Sequence, residues 1–103
     1  MEFIETPTFT RMVTALLSDD EYRSLQTVLT NDPECGAIIE HGGGIRKVRH
    51  AAQGRGKSGG VRVIYYWLKD DHQIYMLVVY PKSKKDDLTA DETAILRGLV
   101  KEL

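Results

Sequence analysis

Apolar residues recur along this chain at two spacings, and each predicts a kind of element. Phe9, Met12, Val13, Leu16 and Leu17 fall at i, i+3, i+4, i+7 and i+8, one face of an amphipathic helix. Thr6-Pro7 opens that helix, with Pro7 at the first position, where its missing N–H costs nothing. Ser18-Asp19-Asp20-Glu21 interrupts it and starts a second helix: Ser18 is the N-cap of a capping box closed by Glu21, and the acids sit at the positive end of the helix dipole. Tyr22, Leu25, Val28 and Leu29 form the apolar face of this second helix, and Asn31-Asp32-Pro33 ends it. A second capping box, Thr89-Ala90-Asp91-Glu92, begins a last helix with the stripe Ile95, Leu96, Leu99, Val100 and Leu103.

Between the second and last helices the pattern changes to that of strands. Ile45 to His50 is one strand, 61–69 another and 73–80 a third, rich in β-branched and aromatic residues. A glycine-rich basic loop, 51–60, joins the first two, and Asp70-Asp71-His72 turns the second into the third. Arg62, Ile64, Tyr66 and Leu68 share one face of the middle strand; Val61, Val63, Tyr65 and Trp67 share the other. Strict alternation puts Ile74, Met76, Val78, Tyr80 and Lys82 on one face of the third. Both faces of the sheet are largely apolar, so both need cover. The helical hairpin is expected over one face, and the last helix at the other face or the edge. With a short first strand at Phe3-Ile4-Glu5, the order is β-α-α-β-β-β-α. That is a single α+β domain over residues 1–103, its sheet mostly antiparallel because short turns join the strands. Residues 36–44 are expected to be a loop holding Ile38 and Ile39.

Charge changes the picture more than composition does. The formal net charge is −1, but the distribution is uneven. Residues 1–40 carry two cations and eight acids, a balance of −6; residues 41–85 carry ten cations and two acids, +8; residues 86–103 carry two cations and five acids, −3. Such a block creates a local potential that attracts phosphate, whatever the total. A row of cations also protects a solvated sheet edge, but arginines gathered around glycines favour an anion site. No apolar run approaches the ~20 residues of a membrane helix, so no membrane partner is expected. The acidic start lacks the basic segment of a secretory signal, and the one cysteine, Cys35, suits a reducing cytoplasm.

Several chemistries fit poorly. His41, His50 and His72 are not at ligand spacings and there is no cysteine pair, so no metal site is expected. Gly56-Lys57-Ser58 lacks the glycine of a nucleotide P-loop five residues earlier and leads into a strand, not a helix. Asp70-Asp71 and Asp86-Asp87 read as a turn and a helix approach. What remains is cationic. Antiparallel pairing of the three strands brings Arg49, His50, Arg62 and Lys82 to one end of the sheet, beside the loop cations Arg55 and Lys57. Glycines there let backbone N–H groups approach phosphate.

The run Gly43-Gly44-Ile45-Arg46-Lys47-Val48-Arg49, the loop and strand Gly54 to Tyr66, and Tyr80-Pro81-Lys82-Ser83-Lys84-Lys85-Asp86-Asp87-Leu88-Thr89 together resemble the RelE/HigB family of type II toxin–antitoxin toxins, nearest its HigB-like branch. The resemblance covers nearly the whole chain. It implies a ribosome-dependent endoribonuclease that cuts mRNA in the ribosomal A site with no metal and no cofactor. Carried over by position, it implies catalytic roles for Arg62 (stabilising the phosphorane), Lys82 (donating a proton to the leaving 5′-oxygen) and Lys57 (binding phosphate or assisting deprotonation). It implies RNA contacts for Arg46, Arg49, Arg55, Lys84 and Lys85. The implied partners are the ribosome with its mRNA and a cognate antitoxin, HigA-like with a helix-turn-helix, through which alone DNA is reached. The aromatic or histidine that some relatives carry after the last strand is missing from 82–88, which leaves the general base unassigned. The alternative is a relative that binds RNA or antitoxin without cutting.

Overall fold

A computed structural model describes residues 1–52 and 60–103. Its elements are β1 (Glu2–Glu5), α1 (Pro7–Leu16), α2 (Asp19–Asn31), β2 (Ala37–Ile38), β3 (Arg46–His50), β4 (Val61–Leu68), β5 (Gln73–Pro81) and α3 (Ala90–Lys101), with a short 3₁₀ turn at Lys69–Asp71. The helices begin where their caps predict. The Thr6 hydroxyl accepts from the Phe9 N–H, and both capping boxes close in both directions. Five strands form one mixed sheet in the order β1-β5-β4-β3-β2. β2 to β5 pair antiparallel and β1 lies parallel to β5, giving the expected α+β domain.

Both faces are covered. Under the α1–α2 hairpin, Phe9, Val13, Leu17, Leu25 and Leu29 pack on Val61, Val63, Tyr65, Ile74, Met76 and Val79. Under α3, a smaller core joins Ile45, Ile64, Leu77, Tyr80 and Val100, with Leu88 and Leu96 partly buried beside it. We call these the hairpin face and the site face. Of the α3 stripe, Val100 is buried, but Ile95 is 70% exposed and Leu99 and Leu103 are also exposed. One helix at an angle on a sheet covers only the line where it touches.

Two features depart from the sequence pattern. Ala37–Ile38 forms a short edge strand, not a loop, because Ala37 pairs with Lys47 and Ile38 with Arg46. In β5 the alternation slips. Ile64 pairs with Val78 but Tyr65 pairs with Met76, which leaves Leu77 as an extra residue. Before this bulge Ile74 and Met76 face the hairpin; after it Val79 does, and Val78 and Tyr80 turn to the site face. The expected single face from Ile74 through Tyr80 is therefore split. The Thr6 hydroxyl donates to Leu77 O at 2.7 Å and the Thr6 N–H to Met76 O at 3.1 Å, holding the irregular backbone.

Candidate nucleic-acid interface

The strand register assembles the site. Arg62 in β4 stands opposite Arg49 in β3 on one side and Tyr80 in β5 on the other. Lys47, two residues before Arg49 and opposite Ile64, shares the site face. The end of the sheet is closed by Lys82, whose N–H donates to Gly60 O at 3.1 Å. Gly60 is required there. Its φ is +63°, and a Cβ would stand 2.1 Å from the His50 carbonyl oxygen.

Arg62 is only 3% exposed. A buried guanidinium is tolerated when its donors are met, and Asp86 takes two of them: Nε donates to Asp86 Oδ1 at 3.0 Å and Nη2 lies 3.0 Å from the same oxygen. Hydrogen bonding to Arg62, reinforced by the charges of Arg62, Lys47 and Arg49, holds the Asp86 carboxyl below the usual carboxylate range. Lys47 Nζ pairs with Asp87 and donates to the Asp86 carbonyl at 3.3 Å. Lys85 pairs with Glu92 in the first turn of α3, and its ammonium lies 5.1 Å from the centre of the Tyr80 ring. Acids of the C-terminal segment thus fold back onto cations of the basic block. Burial pushes the buried Tyr80 hydroxyl up to about 12, so it stays protonated near neutrality.

The basic residues singled out in the sequence do not all meet. Arg49 and Arg62 are neighbours on the site face. Arg46 lies on the hairpin face, opposite Tyr65. Its guanidinium donates to the carbonyls of Glu34 (3.1 Å) and Gly36 (2.8 Å) and so ties down the stretch before β2. Tyr65 completes that tie, donating to Pro33 O and accepting from the Gly36 N–H. Lys82 and Lys84 are exposed just beyond β5. Lys84 borders a cleft of the hairpin side with Ala15, Leu16, Ala52 and Val61. Lys85 is engaged with α3. Arg55 and Lys57 lie outside the described residues. His50 borders a groove with Asp20, Glu21 and Ser24 of α2, on the face opposite Arg62. Among the described residues no group of three His, Cys, Asp or Glu side chains is placed to hold a metal ion.

Lys47 and the pair Asp86-Asp87 escaped the sequence reading. For Lys47 the signal was present: strand alternation puts 47 with 49, not 46 with 49. For the acids there was none, since their contacts span 24 and 40 residues of chain.

An arginine fixed in the sheet, with a second arginine and a lysine beside it, makes a face suited to a polyanion. This defines a small α+β domain with a cluster of basic residues on one face. A family model described as the RelE toxin of the RelE/RelB toxin–antitoxin system matches residues 4–103. The protein belongs to this family: it is a RelE-family toxin, one half of a toxin–antitoxin pair. No helix of the described residues is long and apolar enough to cross a membrane.

Proposed function

We propose that this toxin is a ribosome-dependent endoribonuclease of the HigB-like branch that cleaves mRNA in the ribosomal A site and so inhibits translation. The observation that carries the reading is the register that sets Arg49 beside Arg62 on the site face, within a chain of the RelE family. In the reaction, the ribose 2′-oxygen loses its proton and bonds to the adjacent phosphorus, the P–O5′ bond breaks, and the 5′-oxygen takes a proton. The products are a 2′,3′-cyclic phosphate and a 5′-hydroxyl. Arg62 meets the charge that develops on the phosphorane oxygens, where a prealigned donor acts most strongly. Lys82 supplies the proton to the 5′-oxygen. Lys57 binds phosphate or assists deprotonation, and Arg49, Arg55 and Lys84 hold the strand. The antitoxin is a helix-turn-helix, HigA-like protein that neutralises the toxin and carries the complex to DNA. The ribosome presents the strand, because this domain has no exposed aromatic platform among the described residues for gripping free RNA.

The test is single-turnover cleavage on programmed ribosomes. Arg62→Ala is expected to lose ~10²–10³ in rate, the worth of one directed stabilising donor. Arg62→Lys restores charge without the fork and is expected to stay well below wild type. Lys69→Ala, at the far end of the sheet where Lys69 lies over the Trp67 ring, is expected to keep nearly full activity. Equal losses for Arg62→Ala and Lys69→Ala, or full activity in Arg62→Lys, would favour a module that binds without cutting.

A further inference from the structure

Asp86 and Asp87 stand on the site cations as two consecutive anions. We propose that Arg62 and Lys47 form adjoining binding sites for successive phosphates of one RNA strand, and that Asp86 and Asp87 fill these sites in the free toxin until RNA displaces them. This rests on the reading of the site as an RNA-cleaving one and adds Lys47, together with an internal competitor, to it.

Three observations support the exchange. Carboxylate and phosphate take the same donors, so an acid is a fair stand-in for a phosphate oxygen on arginine or lysine. The exposures are unequal within each pair: the side chains of Arg62 and Lys47 are 3% and 15% exposed, those of Asp86 and Asp87 52% and 75%. The cations are therefore the fixed partners and the acids the ones that solvent, or a competing anion, reaches. Finally, the spacing suits a strand. Lys47 and Arg62 are diagonal neighbours across the β3–β4 pair, at ~7–8 Å between backbones, and they are met by residues adjacent in sequence.

The probe is a short 2′-O-methyl oligoribonucleotide, which binds but has no 2′-hydroxyl to react, titrated at several salt concentrations. Asp87→Asn removes the charged partner of Lys47 and is expected to bind it roughly twofold to fivefold tighter than wild type, the scale of a partly exposed ion pair. Lys47→Gln is expected to weaken binding and to reduce the slope of log K against log salt by about 0.7, one phosphate contact fewer on a single strand. In the Lys47→Gln background, Asp87→Asn is expected to gain nothing. Asp70→Asn, at the turn before β5, removes the same charge elsewhere and is expected to change little. The proposal is overturned by Asp87→Asn binding no tighter than wild type, by an unchanged salt slope in Lys47→Gln, or by Asp70→Asn tightening as much as Asp87→Asn. Ribosomal cleavage separates this from the reading beneath it. A toxin that does not cleave but follows the oligonucleotide pattern loses the nuclease reading and keeps the phosphate sites. One that cleaves while the oligonucleotide pattern fails loses only this proposal.

Discussion

The two faces of the sheet are built on different principles. The hairpin face is the larger apolar core, in which two helices interlock with β4, β5 and one another, and its charged residues reach outward or, like Arg46, tie down backbone. The site face has a smaller apolar centre under one helix. Next to it the sheet ends in cations balanced by acids from the chain that follows β5. The larger apolar core lies on one side of a single β-strand, and the paired charges on the other. β4 manages both because consecutive residues point opposite ways: Val61 and Val63 to the hairpin, Arg62 between them to the site.

Core truncation separates the faces most sharply. Phe9→Ala, at a fully buried position, is expected to destabilise by about 3–5 kcal/mol. Ile95→Ala, on the exposed side of α3, is expected to stay within about 0.5 kcal/mol. Denaturant unfolding of both variants checks this, and similar losses would mean that the α3 stripe is packed in solution.

The two buried tyrosines offer a finer comparison. Burial pushes both hydroxyls up to about 12, yet their partners differ. Tyr65→Phe strands the Pro33 carbonyl and Gly36 N–H it bridges at 2.7 and 3.0 Å and is expected to cost about 1–3 kcal/mol. Tyr80→Phe loses only a 3.4 Å bond to the Asp86 carbonyl, with an expected cost under about 1 kcal/mol. Melting of the two variants at neutral pH gives the answer; the reverse ranking would put the tighter polar network on the site face.

The smallest effect is with acid. Asp86 has its carboxyl lowered by Arg62. A depressed folded-state value means that its contribution to stability is present above the ordinary carboxylate value near 3.8 and is lost as pH falls through the lower folded value. Wild type should therefore lose stability on acidification below about pH 4 slightly more steeply than Asp86→Asn. Parallel melting curves down to pH 2 would show that this pair carries no linkage.

Helix starts, the meander and the two-faced sheet were legible because each is local: caps lie three residues apart and alternation has a period of two. The slip in β5 was not, because a bulge is set by how β4 and β1 meet that strand, and nothing at Leu77 itself distinguishes it from its neighbours. That Arg49 and Arg62 lie at the same end of the sheet followed from topology alone; their direct pairing did not. The separation of Arg46 from Arg49 was written in their odd spacing, yet two arginines in one strand invite being read as one patch. Asp86 and Asp87 look like solvent-facing residues before a helix, and only the three-dimensional path of the chain lays them on Arg62 and Lys47.

The docking of β1 on β5 sets when this toxin can exist at all. The bond from Thr6 to Leu77 spans 71 residues of chain, and the hairpin that follows β1 lays its apolar face mainly on β4 and β5. Closing so long a loop must precede the contacts that reward it. During synthesis, which delivers the chain from its N-terminus, the first two helices therefore emerge before the strands they pack on. The sheet that aligns Arg62 cannot assemble until some three quarters of the polypeptide has been made and has cleared the exit tunnel. The face that carries Arg62 is thus a late product of translation, and a nascent chain broken off before β5 lacks the strand that pairs with β4.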